Sequence, residues 1–251
     1  MSQKARSYLY CEDYAVLNKP IAKADVRRRF RTVAETEVFC YFDGTITLID
    51  ATDAVLEAFA LPAWREWEDR WIKGQITSQE CLSRQVELIG ADRETLIRFA
   101  TDLPIDEGFM TLVRRCAERK IPLTILSDGL DLVIEAVLRR HGLLHIPVFS
   151  NHLRWNEEGI PTLTFPFAAP ECETGSGTCK CALALLGDRQ SSRTIYIGDG
   201  RSDQCVAAKA ETVFAKGTLG KWCDAQGINY SPFETLTEVA ERICSKGEKI
   251  L

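Results

Sequence analysis

The apolar and polar positions of the chain form two patterns, compact apolar runs typical of buried strands and the three-to-four-residue spacing typical of helices. The run at residues 38–42, which ends at Asp43 and Gly44, has the length and flanks of a buried strand. From residue 105 onward, such runs alternate with helical segments. Strands that alternate with helices of this length predict an α/β fold, a Rossmann-like parallel sheet with helices on both faces.

The alternating part of the chain predicts a definite order of elements. This order is helix 106–120, strand 121–128, helix 130–142, strand 146–151, a β-ribbon over 152–167 with its turn at Glu158 and Gly159, helix 179–187, strand 193–200, helix 202–210, strand 212–216 and further helices. No internal repeat or low-complexity segment interrupts it. We therefore predict a single core domain for this part of the chain.

Residues 50–104 contain no strand signal and place their apolar residues at helical spacing. We predict that they form an all-helical cap domain, inserted into a core domain made of residues 36–49 and 105–251. Residues 1–35 are charged and only weakly periodic. This pattern indicates an N-terminal appendage, with a helix at residues 22–32.

Composition excludes several classes of protein. The chain has 251 residues, of which 45% are hydrophobic and 27% charged, which is ordinary for a globular protein. A net charge of −5 gives no general reason to expect nucleic acid or an anionic membrane as a partner. The sequence has neither the apolar core of a signal peptide nor an apolar window of membrane-spanning length, so we expect a cytoplasmic protein.

Ten cysteines in a cytoplasmic chain are expected to be reduced thiols. Seven of them, Cys205 included, are isolated along the sequence, and we interpret these as small apolar core residues. Cys172, Cys179 and Cys181 form a local cluster, but the cluster lacks the paired two-residue spacings of a structural zinc site. We therefore favour a structural role over a metal-binding role for it.

Carboxylates, hydroxyls, glycines and one lysine follow predicted strands or begin a helix at four places. In open parallel sheets, ligands bind beyond the carboxyl ends of the strands. Carboxylates there suit a hard cation such as Mg²⁺, and a lysine, a hydroxyl and backbone amides suit phosphoryl oxygens. Each group alone is more typical of a turn or a helix cap, but the ordered set favours a metal and phosphate site. The residues are Asp43, Gly44 and Thr45; Ser127, Asp128 and Gly129; Lys180; and Asp199, Gly200, Arg201, Ser202 and Asp203.

These segments resemble the four motifs of the haloacid dehalogenase (HAD) superfamily of phosphotransferases. The motifs are YFDGTIT at 41–47, Ser127 in ILSDG, Lys180 in GTCKCALAL and IGDGRSD at 197–203. The helical block resembles the cap of the phosphoserine phosphatase subfamily. The motifs are most similar to methionine-salvage phosphatases that act on a diketo-methylthiopentyl phosphate, and next to phosphocholine/phosphoethanolamine phosphatases. The resemblance spans about residues 37–245 and implies a Mg²⁺-dependent phosphomonoesterase for a small phosphorylated metabolite.

The resemblance also implies a role for each matching residue. An aspartate two residues before Asp43 would attack phosphorus and form an aspartyl phosphate, while Asp43 would protonate the leaving oxygen and then activate water. Ser127 and the Gly129 amide would hold phosphoryl oxygens, and Lys180 would balance their charge. Asp199 and the backbone carbonyl of Asp43 would bind Mg²⁺. Gly44, Thr45 and Asp128 would lie at the phosphate. Asp203 would lie at the metal and steady that part of the site.

The chain departs from the family at the attacking position, where Tyr41 replaces the aspartate. Alternation along the strand puts Tyr41 and Asp43 on one face, so Tyr41 is expected to reach the site. A phenol with an ordinary pKa near 10 is a poor nucleophile and a poor Mg²⁺ ligand. Four explanations are open: a variant or sequence error of an active phosphatase, a pseudophosphatase that binds a phosphorylated ligand, phosphorylation of Tyr41 itself, and attack by Cys40, which the alternation argues against. We favour a phosphatase scaffold with poor turnover.

Two groups of residues in the predicted cap bear on the substrate. Trp64, Trp67 and Trp71 share one helical face and are expected to pack inside the cap, the alternative being that one of them lines the substrate cleft. Asp50 and Asp53 follow the first motif, where a carboxylate could meet a substrate amine. For these two we prefer the interpretation that they cap the first helix of the cap.

Overall fold

The computed structural model of the protein describes residues 35–172, 174–185 and 193–244. They contain seven strands, which form one sheet. The strands are β1 Thr36–Cys40, β2 Leu123–Leu130, β3 Val148–Trp155, β4 Pro161–Thr164, β5 Arg193–Gly198, β6 Thr212–Ala215 and β7 Ser231–Pro232. Their spatial order is β4-β3-β2-β1-β5-β6-β7, and every neighbouring pair is parallel except β3 and β4. This sheet confirms the predicted α/β fold.

Ten α-helices accompany the sheet in the described residues. They are α1 Ala51–Phe59, α2 Trp64–Ile72, α3 Ser78–Val86, α4 Arg93–Thr101, α5 Gly108–Glu118, α6 Asp131–Arg140, α7 Lys180–Leu185, α8 Gln204–Ala207, α9 Gly217–Gln226 and α10 Leu236–Cys244. A short 3-10 helix, Arg201–Asp203, precedes α8. In the part of the chain that the structure describes, no helix has the length and apolar character needed to cross a membrane.

The apolar run at residues 38–42 lies at the centre of the sheet, where β1 is flanked by β2 and β5. All of its side chains are buried, as expected for a strand that is covered on both faces. Strand β1 ends at Cys40, and the Tyr41 amide adds one more hydrogen bond to the carbonyl of Ile197 at 2.9 Å. The chain then leaves the ladder and turns at Asp43, which brings that side chain to the carboxyl edge of the sheet.

Helices α1 to α4 fill the block in which the sequence predicts only helices. Three of them begin at side-chain caps, which are Asp50 for α1, Thr77 for α3 and Asp92 for α4. Thr77 caps α3 by accepting a hydrogen bond from the Glu80 amide at 3.2 Å. Asp92 caps α4 by accepting one from the Thr95 amide at 2.8 Å. The cap at Asp92 divides the long helical pattern at residues 78–103 into two helices, α3 and α4.

One apolar core runs through both the sheet and the helical block. Helix α4 packs against α6, and α5 packs against α10. Buried side chains from the block and from the rest of the chain belong to the same cluster, among them Val55, Leu56, Leu96, Leu112 and Val133. The block is therefore anchored by burial of apolar surface as well as by its chain connections.

The later predicted elements agree with the structure in type and differ at their ends. The β-ribbon is confirmed, since β3 and β4 pair antiparallel around a turn in which Gly159 has a φ of 78°. Strand β2 continues two residues beyond its predicted end, to Leu130. Strand β7 was not predicted, because two residues are too short to show alternation. The predicted appendage, apart from Glu35, and its helix at residues 22–32 lie outside the described residues.

One prediction about the cysteines is wrong. Cys205, interpreted as an isolated reduced thiol, forms a disulfide with Cys181, and their Cα atoms are 6.3 Å apart. The two residues are separated by 24 positions and lie in α7 and α8. Spacing along the sequence could not reveal this pair, because the packing of α7 beside α8 brings the two side chains together. Free cysteines among the described residues include Cys40, Cys81, Cys172, Cys179 and Cys223.

Candidate active site

Three strand ends meet at the carboxyl edge of the sheet. Because β1 lies between β2 and β5, the segments 41–45, 127–129 and 199–203 converge there. Lys180, the first residue of α7, reaches the same place. The structure brings ten of the residues selected from the sequence together at this edge: Tyr41, Asp43, Gly44, Thr45, Ser127, Asp128, Gly129, Lys180, Asp199 and Asp203.

Tyr41 lies in the site, as its alternation with Asp43 predicts. Its side chain is only 8% exposed, and the Lys180 Nζ atom lies 4.0 Å from the centre of its ring. Burial, and then the nearby Asp43 carboxylate, raises the pKa of the phenol well above its ordinary value. A neutral phenol beneath a cation is neither a strong nucleophile nor an anionic metal ligand. The preceding Cys40 belongs to the apolar core, which agrees with its predicted orientation away from the site.

Asp43 is almost completely buried, and both of its carboxylate oxygens accept hydrogen bonds. Oδ2 accepts from the Ser127 hydroxyl at 2.7 Å, and Oδ1 accepts from the amide and the hydroxyl of Thr52 at 3.2 and 3.1 Å. Burial raises the pKa of Asp43, and it outweighs the lowering effect of these hydrogen bonds and of Lys180. A carboxyl group with a raised pKa is suited to proton transfer near neutral pH.

Ser127 and Gly129 place a hydroxyl and an amide beside Asp43. The Gly129 amide donates to the Ser127 hydroxyl oxygen at 2.8 Å, and the same hydroxyl donates to Asp43. A Cβ atom at position 129 would lie 2.6 Å from Asp43 Oδ2, so a larger residue would displace the carboxylate. These two donors are of the kind that stabilises phosphoryl oxygens in a water-poor site.

Lys180 is the cationic centre of the site. Its side chain is buried, and its Nζ atom lies 2.8 Å from Asp203 Oδ1, 3.3 Å from Asp128 Oδ2 and 2.5 Å from Ser202 Oγ. Burial lowers the pKa of Lys180, but the attraction of Asp203 and Asp128 outweighs burial, so that the pKa is raised. The lysine therefore remains charged in an interior that an unpaired ammonium group would not occupy.

Asp203 accepts hydrogen bonds on both of its carboxylate oxygens. Its Oδ1 accepts hydrogen bonds from the Tyr196 hydroxyl at 2.6 Å and from Lys180 at 2.8 Å. Its Oδ2 accepts from the amides of Asp199 and Gly200 at 3.1 and 3.0 Å. These four donors match the four acceptor positions of a carboxylate, which fits the expectation that Asp203 steadies the metal site. Through its bonds to the Asp199 amide and to the Lys180 ammonium, Asp203 links these two residues of the site.

Asp199 and the backbone carbonyl of Asp43 are the candidate metal ligands. The Thr45 hydroxyl donates to Asp199 Oδ1 at 2.5 Å, whereas Oδ2 accepts no hydrogen bond from the residues described. A Cβ atom at Gly44, whose φ is +70°, would lie 2.5 Å from Oδ2, so glycine keeps this oxygen accessible. One carboxylate and one carbonyl fit Mg²⁺, which often uses one or two carboxylates together with water and substrate phosphate. Within residues 35–172, 174–185 and 193–244, no cluster of three His, Cys, Asp or Glu side chains could hold a metal.

Sequence reasoning missed three residues that hold the site together. Thr52, in α1, donates to Asp43. The Thr178 amide donates to Asp128 Oδ1 at 2.8 Å, and the Asn151 side chain donates to the Asp128 carbonyl at 2.5 Å. Their sequence context carried no signal, because threonine and asparagine are common cap and turn residues. Their roles depend on α1 and β3 lying beside the ends of β1 and β2.

The helical block contacts the loops of the site at two points. The Arg201 guanidinium donates to the carbonyl of Ile72 at 3.0 Å and lies 5.7 Å from the Trp71 ring. Gln79, at the start of α3, donates from its amide to the carbonyl of residue 175 at 3.1 Å and from its side chain to the carbonyl of residue 176 at 3.2 Å. Movement of the helical block would therefore shift the loops that carry Asp199 and Lys180.

The tryptophans and aspartates of the helical block differ in their burial and in their contacts. Trp64 is 7% exposed and belongs to the core, which confirms internal packing for this residue. Trp67 and Trp71 are only partly buried, and each has an arginine side chain near its ring. Asp50 caps α1 by accepting a hydrogen bond from the Asp53 amide at 2.9 Å, so the preferred capping role of Asp50 is confirmed.

We expect the substitution Asp199→Asn to stabilise the metal-free protein at about pH 7.5, with a smaller gain at about pH 5. Burial, followed by the Asp203 charge, raises the pKa of Asp199 to about 6. A raised carboxyl pKa gives stability that is present at low pH and lost as the pH rises through about 6. Urea unfolding of both proteins at the two pH values measures the difference. The exposed Asp69→Asn is the control, and an equal gain at both pH values would contradict the expectation.

Comparison with known proteins gives a family match. The model of the haloacid dehalogenase-like hydrolase family matches residues 38–208. The 2-hydroxy-3-keto-5-methylthiopentenyl-1-phosphate phosphatase of Brevibacillus brevis is 32% identical over 205 residues, which cover 80% of this chain and 92% of the relative. The phosphatase of the same name from Geobacillus kaustophilus is 32% identical over 212 residues, covering 82% of this chain and 94% of the relative.

Solved structures give the same picture for the fold. Phosphoserine phosphatase from T. onnurineus superposes with a TM-score of 0.62 at 15% identity, covering 86% of this chain and 97% of that one. A structure described as a phospho-aspartyl intermediate analogue of phosphoserine phosphatase superposes with a TM-score of 0.61 at 15% identity, covering 83% of this chain and 99% of that one. At such identities the likeness shows a shared fold.

Proposed function

This chain belongs to the haloacid dehalogenase-like hydrolase family, and we propose that it is a phosphoric monoester hydrolase for a small phosphorylated metabolite in the cytoplasm. The observation that carries the proposal is the convergence of Asp43, Ser127 and Lys180 at one point of the sheet edge. Residues 50–104 would act as a cap over this point, since Arg201 and Gln79 already connect the block to the loops below it.

Binding of the phosphoryl group would use the three donors of the site. The Lys180 ammonium supplies positive charge, and the Ser127 hydroxyl and the Gly129 amide supply hydrogen bonds. In the free protein the Ser127 hydroxyl donates to Asp43 and the Gly129 amide donates to Ser127. Rotation of the Ser127 side chain would free its hydroxyl from Asp43 and the Gly129 amide from Ser127, so that both donors could bind a phosphoryl oxygen.

Proton transfer to the leaving oxygen would come from Asp43. Its raised pKa, which burial causes, keeps a larger fraction of the carboxyl protonated near neutral pH than an exposed aspartate would have. Thr52 and Ser127 hold the two oxygens in place, so the acidic proton has a fixed direction. After the leaving group departs, the resulting carboxylate would accept a proton from water.

Formation of a covalent phosphoryl intermediate would be slow in this chain. The related phosphoserine phosphatase is described with a phospho-aspartyl intermediate analogue, which requires a carboxylate nucleophile in that protein. The resemblance of the first motif would put Tyr41 at the corresponding position in this chain, and the phenol of Tyr41 has a strongly raised pKa because it is buried. We therefore propose slow turnover for the chain as it stands, since a neutral phenol is a poor nucleophile.

Mg²⁺ is the proposed cofactor. Asp199 and the Asp43 backbone carbonyl would hold the ion. When bound, the ion supplies positive charge to the phosphoryl oxygens. With Tyr41 in place of a carboxylate, the protein contributes one negatively charged ligand fewer, so we expect weaker Mg²⁺ binding than in a variant with aspartate at this position.

A second candidate function is phosphate-ligand binding without turnover, as in a pseudophosphatase. The observation that favours it is the position of Lys180 over the Tyr41 ring, because the aromatic ring fills space beside the lysine that would bind the phosphoryl group. The ligand donors Ser127 and Gly129 are unaffected by this substitution. Such a protein would bind a phosphorylated metabolite, and a change in the position of its cap would signal to a partner that the ligand is bound.

The two functions differ in one measurement. The protein is incubated with 2-hydroxy-3-keto-5-methylthiopentenyl-1-phosphate, phosphoserine, phosphocholine and phosphoethanolamine, with Mg²⁺ or with EDTA, and inorganic phosphate is measured. Release that EDTA abolishes supports the hydrolase. A rise in the thermal unfolding midpoint with a phosphomonoester, without release, supports the binder. Neither release nor stabilisation with any of the four compounds would contradict both.

A further inference from the structure

The disulfide between Cys181 and Cys205 lies beside the candidate site. Cys181 directly follows Lys180 in α7, and Cys205 comes two residues after Asp203. The bond therefore joins the segment that carries the buried cation to the loop that carries its carboxylate partner. The proposed phosphatase reaction uses neither cysteine, so it does not account for the bond.

Polar contacts join the same two segments a second time. The Lys180 Nζ atom lies 2.8 Å from Asp203 Oδ1 and donates to the Ser202 hydroxyl oxygen at 2.5 Å. Asp203 in turn accepts from the amides of Asp199 and Gly200 at 3.1 and 3.0 Å. The disulfide and the ion pair thus stabilise one unit of the site. Without the disulfide, polar contacts and packing alone would hold this unit together.

The disulfide is accessible to small molecules in solution. Cys181 and Cys205 are both partly exposed, unlike the neighbouring Cys179, which is buried. The exposed Lys209 side chain donates from its ammonium group to Cys205 Sγ at 3.5 Å. A cation at this position offsets the negative charge that the Cys205 sulfur gains when the bond breaks. The surroundings therefore favour cleavage in which Cys205 is the leaving sulfur.

We propose that this disulfide is a reducible lock on the phosphate site, opened by small thiols of the glutathione class. An external thiolate attacks the Cys181 sulfur, the bond to Cys205 breaks, and the Cys205 sulfur leaves as a thiolate beside Lys209. A second external thiolate attacks the external sulfur of the mixed disulfide, and Cys181 leaves as a thiolate that takes up a proton from solvent. The protein disulfide is reduced, and two external thiols are oxidised to one disulfide.

The regulatory meaning of the lock rests on the phosphatase function and the cytoplasmic location proposed above. In the cytoplasm, glutathione and related systems keep most thiols reduced, and the disulfides that form there are usually catalytic or redox-sensing. Under oxidising conditions the bond would hold Lys180 against the loop that carries Asp203. Reduction would remove this restraint and loosen the contacts around Lys180.

Reduction of the folded protein tests the exchange step without an assay of activity. The full chain is treated with oxidised glutathione, then with excess reduced glutathione, and is alkylated for peptide mass analysis. We expect the bond between Cys181 and Cys205 after the first treatment and its loss after the second, with unchanged circular dichroism. Absence of the bond after oxidation would overturn the proposal. So would a bond that reduced glutathione removes from urea-unfolded chain but not from the folded protein.

Hydrogen exchange shows whether the site responds to the lock. The amides of Thr178, Asp199 and Gly200 donate to the carboxylates that surround Lys180. We expect peptides that contain these amides to exchange at least about threefold faster after reduction, because local opening of the site then costs less free energy. Equal exchange in the oxidised and reduced proteins would overturn the proposal.

Two variants separate the disulfide from other thiols. Cys205→Ser cannot form the bond, so it should show the faster exchange whether or not glutathione is present. Cys172→Ser removes a partly exposed free thiol from the loop before Lys180 and should respond like the original protein. A response to glutathione that persists in Cys205→Ser would overturn the proposal.

Inorganic phosphate distinguishes failure of the lock from failure of the proposed function. We expect phosphate to raise the thermal unfolding midpoint of the oxidised protein more than that of the reduced protein, because the looser site binds it more weakly. An equal rise in both forms would overturn the lock. If phosphate stabilises neither form, the proposed phosphate site is contradicted, and the exchange rates still decide whether the disulfide restrains this part of the chain.

Discussion

The substitution Tyr41→Asp is expected to raise phosphate release from an aryl phosphate by about 10³-fold or more, because nucleophiles of covalent enzymes carry effects of this order or larger. Aspartate would restore an anionic nucleophile beside Asp43 and Lys180, and it would give Mg²⁺ a second carboxylate. It would also free the space beside Lys180 that the aromatic ring now fills. Initial rates at saturating aryl phosphate, with and without EDTA, provide the measurement.

Two further substitutions at this position serve as controls. Tyr41→Asn has nearly the size of aspartate but no charge, so it tests whether the gain comes from space or from the carboxylate. Tyr41→Phe removes only the hydroxyl and should leave the slow rate unchanged, which excludes phosphorylation of Tyr41 as the route. Equal rates for the aspartate variant and the original chain would contradict our account of Tyr41. A loss of all activity in Tyr41→Phe would show that the phenol itself reacts.

The substitution Lys180→Met is expected to lower the free energy of unfolding by about 3–5 kcal/mol, because breaking a buried ion pair leaves its partner unpaired. Lys180 is buried between Asp203 and Asp128, which are also buried. Methionine keeps most of the side-chain volume, so the loss reports the missing charge more than a cavity. Urea unfolding followed by circular dichroism measures it.

The control for this loss is Lys221→Met, at an exposed position of α9, where we expect almost no change. A second variant locates the cause. Adding Asp128→Asn to Lys180→Met should recover part of the stability, since one of the two unpaired carboxylates is then neutral, while Asn can still accept from the Thr178 amide. If the double variant is less stable than Lys180→Met alone, the loss does not arise from unpaired charge.

The sequence indicated the residues of the candidate site better than it indicated the residues that hold them in place. Strand ends and motifs identified Asp43, Ser127, Lys180 and Asp199, because residues that follow parallel strands must lie at one edge of the sheet. Alternation placed Tyr41 beside Asp43 for the same reason. Helix ends were less predictable, since local caps such as Asp92 decide where a long helical pattern divides.

Contacts between distant parts of the chain could not be predicted in this way. The Asp203 carboxylate matched a metal-site motif, but the motif did not show that it accepts hydrogen bonds from Tyr196, Lys180 and two amides. Thr178 and Asn151 hold Asp128 across the sheet without any sequence signal. In each case, the hydrogen-bond partner depends on which strands and loops lie side by side. Local periodicity in the sequence does not encode this.

By itself, the sequence determined the alternating α/β architecture, the helical block and the position of Tyr41 two residues before Asp43, because each of these depends on residue type and spacing alone. The tertiary structure decided the burial that raises the pKa values of Tyr41 and Asp43, the ion pairs of Lys180, and the disulfide between Cys181 and Cys205. Burial and partner choice depend on which elements pack together, and packing exists only once the chain has folded.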